Sequence, residues 1–217
     1  MPPRAVLFDF DGVLADTENI HVAAWQRTFA DLGWMVPDET CARAAEVDDS
    51  LFLSGIFAER KIEGGDVEGW VRRKQRLTVA MLADSPRMYP GAAELVRRLS
   101  GRVRLGIVST TWRENLDVVL AASGLADAFD VLVDKEDVAA VKPDPEAYLV
   151  ALQRLRLPAG AVVALEDSSS GLEAAWGAGL RAIAVGHRKP QGDWVGPSQY
   201  VPDLSDASGL IGHLGLA

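Results

Sequence analysis

Cysteine is almost missing from this chain: Cys41 is the only one among 217 residues, which excludes an intrachain disulfide and a thiolate metal cluster built within one chain. Long apolar runs are missing too. No uninterrupted stretch approaches the roughly 18 residues of a membrane span, and the apolar run near the N-terminus is cut by Asp9 and Asp11, too short for a signal-peptide core. Basic residues are outnumbered, with 22 Lys and Arg against 31 Asp and Glu for a formal charge of -9 and a pI near 4.8. No block of Lys or Arg stands ready to neutralise a nucleic-acid backbone. Internal repeats and low-complexity tracts are absent. These absences describe a soluble globular protein expected in the cytoplasm, with neither nucleic acid nor membrane as a partner, and with a monomer as the simplest expectation. An anionic substrate would have to be attracted locally.

What is present is enough apolar residue, 48%, for a sizeable core. From about residue 88 onward helical and strand-like segments alternate, the pattern of a parallel sheet covered by helices. Strands are expected at 5–8, 104–109, 131–133, 161–165 and 182–185, with helices opening at Pro90-Gly91, spanning 114–123 up to Gly124, and spanning 145–155. The segment 17–87 reads as all helical. In it His21, Ala24, Trp25, Thr28, Phe29 and Leu32 fall at helical spacing, Asp49-Ser50 is expected to cap a helix running to Arg60, and Asp66 to start one through Trp70, Val71, Lys74 and Thr78. The expected organisation is an α/β Rossmann-like core, 1–16 and 88–217, with an all-helical insert, 17–87, joined at hinges around Glu18 and Ser85-Pro86.

Four short stretches carry chemistry. Asp9 and Asp11 lie two apart at a strand end, a spacing that in a strand aims both side chains to one face, and two acids so close need a cation or a shared proton to coexist. Ser109, Thr110 and Thr111 follow a strand and offer hydroxyls and backbone N–H groups to an anion, although Ser and Thr are also routine helix caps. Lys142 precedes two prolines that stiffen the chain and launch a helix; a solvated surface lysine has the same local sequence. Glu166 and Asp167 follow an apolar strand and offer hard oxygen ligands suited to magnesium, or a helix cap. All four stretches are expected to sit just after strands, where open α/β sheets bind ligands.

Together the stretches DFDGVLADTE, VSTT, VKPDPEAY and LEDSSSG resemble, in order and spacing, the four motifs of the haloacid dehalogenase superfamily, in the subgroup with a small helical cap inserted after the first motif. The resemblance covers nearly the whole chain. It implies that Asp9 is a nucleophile forming an aspartyl-phosphate and Asp11 the general acid and base. It also implies that Ser109 and Thr110 hold the transferring phosphoryl group and that Lys142 neutralises charge between that group and Asp9. Asp167 would bind Mg2+ with Asp9 and the Asp11 carbonyl, and Glu166 would assist directly or through water.

Dehalogenases of the superfamily lack the second aspartate, so Asp11 and the pair Glu166-Asp167 point to phosphoryl transfer. The beta-phosphoglucomutases are the nearer alternative, because His21, Trp25, Ser50 and Lys74 match their cap and hinge positions and imply substrate binding there. However, Val47 stands where those enzymes carry an arginine for a second phosphate, and Trp112 where they carry a lysine. Glu46, Asp48 and Asp49 would also repel a second phosphate. The expected activity is therefore a magnesium-dependent phosphatase for a small monophosphorylated metabolite such as a sugar phosphate, with the mutase as alternative and a noncatalytic binding module as a more distant one.

Overall fold

A computed structural model describes residues 2–45, 47–187 and 199–216. The chain divides into two compact units, one formed by Met1–Asp16 with Arg87–Ala217 and the other by Thr17–Pro86. In the first, strands β1 (Ala5–Phe8), β2 (Arg104–Val108), β3 (Val131–Val133), β4 (Val162–Glu166), β5 (Arg181–Val185) and β6 (Gln199–Val201) form one sheet in the order β3-β2-β1-β4-β5-β6. Every pairing is parallel. Parallel strands covered on both faces read as continuous apolar runs, and β1 is buried at all four positions.

Alternate residues show how one face is covered. Ala5 and Leu7, Val131 and Val133, Val162 and Ala164, Ala182 and Ala184 join one apolar cluster with Tyr148, Leu152 and Leu155 of helix α7 (Glu146–Leu155) and Leu172 and Ala175 of helix α8 (Ser169–Gly177). Leu7 stands level with Gly106 on one side and Ala164 on the other. A Cβ at Gly106 would lie 2.6 Å from a Leu7 methyl and 2.5 Å from a Val131 methyl, so the gap in β2 is filled by its neighbours. The sheet's neighbours of β1, namely β2 and β4, are reached by chain running in opposite directions from it. That makes the carboxyl ends of β1 and β4 the topological switch point of the sheet, the place where such sheets form a crevice.

The helical unit holds α1 (Glu18–Asp31), α2 (Asp38–Ala42), α3 (Asp49–Glu59) and α4 (Val67–Asp84). Its core is aromatic: Trp25 stacks on Phe29 with centroids 5.3 Å apart, Phe52 meets Trp25 edge-on at 5.1 Å, and Trp34 meets Phe57 at 5.7 Å. Asp66 caps α4 by accepting from Gly69 N at 2.8 Å, as its sequence position predicts. The cap of α3 is Asp48 rather than Asp49, accepting from Ser50 N at 2.8 Å. One residue of difference at this helix start turns Asp49 from a cap into a side chain with partners elsewhere in the unit. Short elements escape the sequence reading: α2, β6 and α9 (Ala207–His213) are too brief to establish a period. The remaining helices are α5 (Ala92–Leu99) and α6 (Arg113–Ser123), the latter closed by Gly124 in the left-handed region.

Leucines on the two sides of this architecture should respond differently to truncation. Leu7, fully buried in β1, should lose about 2 to 5 kcal/mol on replacement by Ala, whereas Leu149→Ala, at a position 49% exposed on α7, should stay within about 0.5 kcal/mol, both read by urea unfolding.

Candidate active site

Asp9 is the first residue beyond β1, and its backbone N–H donates to Leu165 O of β4 at 2.9 Å. The chain then turns at once. Leu14 and Ala15 N–H groups both donate to Phe10 O, and Gly12 N–H donates to Ala15 O, so Asp11 sits in a tight loop rather than in the strand. The expectation that strand geometry aims Asp9 and Asp11 to one face is corrected here: the strand ends at Phe8, and the two carboxylates have separate partners. Asp9 Oδ1 accepts from Lys142 Nζ at 2.5 Å, while Asp11 Oδ2 accepts from Ser109 Oγ at 3.5 Å.

Lys142 does not follow a strand directly, lying nine positions beyond β3 in a loop that ties itself. Glu146 Oε2 accepts from Ala139 and Ala140 N–H, and Asp144 Oδ1 accepts from Glu146 N–H at 2.9 Å. From that loop Lys142 donates to Asp9 Oδ1 at 2.5 Å, to Glu166 Oε1 at 2.6 Å and to Val108 O at 2.8 Å. All three ammonium protons are thereby used, and the solvated-lysine alternative is excluded, since the side chain is buried.

Glu166 is the last residue of β4 and wholly buried. Its Oε1 also accepts from Tyr148 Oη at 2.6 Å. Its Oε2 is buried and has no hydrogen-bond partner. Ligand oxygens of Asp9, Glu166 and Asp167 lie within 4.8 Å of one another, the one such acidic cluster among the described residues. Three carboxylates against one ammonium leave an excess of negative charge, and the titration behaviour follows. Burial pushes the Asp9 carboxyl well above the usual range, Lys142 opposing this and Glu166 and Asp167 adding to it. For Lys142, burial pulls down, yet Asp9 and Glu166 together outweigh it and hold the ammonium above its ordinary value.

These residues fit a divalent cation. A hard dication would balance the excess charge and give the orphaned Glu166 oxygen a partner. The glycines agree with tightly placed carboxylates: a Cβ at Gly171 would lie 2.0 Å from Glu166 Oε2, and one at Gly12 would lie 1.9 Å from Asp167 Oδ2.

Ser109, just past β2, is buried and anchored through its N–H to Val133 O at 2.9 Å, while its Oγ accepts from Thr111 N–H at 3.1 Å. Thr110 beside it is exposed. Asn115 of α6 donates to Thr111 Oγ1 at 2.7 Å and braces the loop from behind. Trp112 begins α6, with the Lys135 ammonium 5.0 Å from its ring centroid.

A second polar group gathers inside the helical unit. Lys74 is buried; its Nζ lies 3.1 Å from Asp49 Oδ2 and 3.0 Å from His21 Nδ1. Trp25 Nε1 donates to Asp49 Oδ1 at 3.2 Å. The indole itself is fully buried among Phe29 and Phe52, so Trp25 belongs to the core with one polar edge turned to Asp49. Ser50 lies in the first turn of α3, its N–H used by the Asp48 cap, and Val47 just before that cap is exposed. Glu46 lies outside the described residues.

Sequence reasoning gave no individual role to Tyr148 or Gly171, and took Asp49 for a helix cap and a charge repelling a second phosphate rather than a partner of Lys74. Tyr148 fits the apolar period of α7 and passes for core, although a buried tyrosine hydroxyl needs a partner, and that need was its available signal. Gly171 has a role only because Glu166 folds against it. Asp49 was obscured by a plausible capping role one residue away.

Comparison with known proteins places this geometry. Residues 6–185 match the family described as haloacid dehalogenase-like hydrolase. Protein CbbY of Rhodobacter capsulatus is 34% identical over 223 residues, covering 96% of each chain. A phosphorylated carbohydrates phosphatase of Thermotoga maritima is 33% identical over 184 residues, 83% of each. A crystal structure of a mutant CbbY from Rhodobacter sphaeroides in complex with xylulose-(1,5)bisphosphate superposes with a TM-score of 0.84 at 30% identity, over 94% of this chain and 96% of that one. With a match over most of its length, and relatives above 30% identity spanning nearly all of it, the chain belongs to the haloacid dehalogenase-like hydrolase family, as an enzyme with a Rossmann-like α/β core.

Proposed function

We propose that this protein is a magnesium-dependent phosphatase acting on a small phosphorylated sugar through a covalent intermediate on Asp9. The observation that carries the reading is the Asp9 carboxylate held by Lys142 beside Glu166 and Asp167, with one Glu166 oxygen lacking a partner. An Asp9 oxygen attacks phosphorus as the bond to the leaving oxygen breaks, and the Asp11 carboxyl gives that oxygen its proton. Asp11 then takes a proton from water, which attacks phosphorus and frees phosphate and the Asp9 carboxylate. Ser109 and Thr110 hold phosphoryl oxygens, and Lys142 offsets their charge. Asp9, Asp167, Glu166 and the Asp11 carbonyl would hold magnesium, which would supply neutralisation of the transferring group. Without such neutralisation an acidic chain would repel its own substrate.

Selection of the leaving group is assigned to the helical unit as a substrate cap, with His21 and Lys74 as the polar contacts and Trp25 acting through Asp49. Glu18 and Ser85-Pro86 are the proposed hinges. The sugar class is supported by the names of the relatives: one a phosphatase of phosphorylated carbohydrates, another a protein crystallised with a sugar bisphosphate. The reading includes a cytoplasmic monomer working on a diffusible substrate.

A screen of sugar monophosphates and bisphosphates, phosphoglycolate and nucleotides should give phosphate release that disappears with EDTA and returns with Mg2+; silence on every substrate would overturn the reading. Beta-glucose 1-phosphate with its bisphosphate activator separates hydrolysis from mutase turnover. Asp9→Asn should lower kcat by at least about 10³-fold with the unfolding midpoint retained. Burial raises the Asp9 pKa, and both attack and metal binding need its ionised form, so protons and Mg2+ compete. As pH falls, the Mg2+ concentration giving half-maximal rate should rise, and saturating Mg2+ should move the acid limb of kcat/KM to lower pH.

A further inference from the structure

We propose that Tyr148 is a positioning residue for the metal site, its hydroxyl pinning Glu166 Oε1 so that Oε2 is the oxygen offered to the cation; this rests on the magnesium site proposed above. Oε1 receives two donors, Lys142 Nζ and Tyr148 Oη, each at 2.6 Å. Oε2 receives none while fully buried. A carboxylate with one oxygen doubly bonded and the other bare is held in one rotational state, and the bare oxygen is the one left to take a further ligand.

The two donors are not equivalent. Lys142 also serves Asp9 and Val108 O, so its ammonium is divided among three acceptors. Tyr148 projects from α7, is wholly buried, and packs its ring in the apolar cluster that covers the sheet. Its hydroxyl is neutral. A second cation at that place would cancel the negative charge that attracts the metal, whereas a phenol supplies a hydrogen bond and leaves the charge intact. The Lys142 ammonium lies 5.3 Å from the same ring, so the tyrosine braces both the acid and the base of the pair. Gly171 closes the opposite side, where any Cβ would collide with Oε2.

Tyr148→Phe tests this with little disturbance, because the ring stays and Glu166 Oε1 keeps its bond from Lys142. Titration calorimetry of MgCl2 into the intact protein should show Kd rising by about 10- to 100-fold in Tyr148→Phe. Leu155→Ala, which empties core space on the same helix, should lower Tm and leave the Mg2+ Kd within about twofold. In a Glu166→Ala background, Tyr148→Phe should add no further change in Mg2+ affinity. An unchanged Kd in Tyr148→Phe, an equal loss in Leu155→Ala, or a further loss on top of Glu166→Ala would each overturn the proposal while leaving the phosphatase reading in place. A wild-type protein that binds no Mg2+ would overturn both.

Discussion

A single buried ammonium shared between two acids is the contact around which the catalytic unit is organised. Lys142 meets Asp9, Glu166 and the Val108 carbonyl at once, and so ties together the ends of β1, β2 and β4 from a loop that belongs to none of them. Removing charges from water is costly, and a buried pair is retained only where its geometry is well satisfied. Asp167 stands beside the pair as a third acid; burial raises Asp9, with Glu166 and Asp167 adding to it, while Asp9 and Glu166 hold Lys142 up against its own burial. An unpaired buried oxygen on Glu166 is the local expression of the same excess of acid.

The sheet supplies what such a site needs. Parallel pairing brings the ends of β1 and β4 side by side where the strand order reverses, so Asp9 and Glu166 meet although 157 positions separate them in the numbering. Small residues inside the sheet, Gly106 and Ala164 beside Leu7, let α7 and α8 pack closely on it, and α7 in turn brings Tyr148 to Glu166. Packing and chemistry share an element here. The face of α7 that fills the core also delivers the hydroxyl that orients the acid.

A different balance governs the helical unit. Lys74 and Asp49 form a buried ion pair within an aromatic core, with His21 and the Trp25 indole as further partners. Fully connected polar networks of this kind specify one arrangement of a core that apolar packing alone would leave adaptable. The apolar and polar halves of Trp25 do different work: the ring packs with Phe29 and Phe52, and the N–H holds Asp49.

Much of this was legible in the chain itself. Apolar runs bounded by turn residues located β1 to β5, because strands buried on both faces must be apolar throughout; Asp66 and Gly124 marked helix ends because each supplies a local backbone need. The four acidic and basic motifs identified the family and the chemistry, since phosphoryl transfer restricts which residue types can serve. Other features depended on contacts between distant parts of the chain. That Asp9 and Asp11 take separate partners, that Lys142 is buried, that Tyr148 answers to Glu166 and that Asp49 pairs with Lys74 follow from how strands and helices stack. The sequence by itself determined the longer elements and the family, which rest on local propensity and on motif residues of characteristic chemistry. The tertiary structure alone decided which oxygen of Glu166 is left bare, because that outcome requires one donor from a loop and one from a helix to converge on the same oxygen of a buried carboxylate.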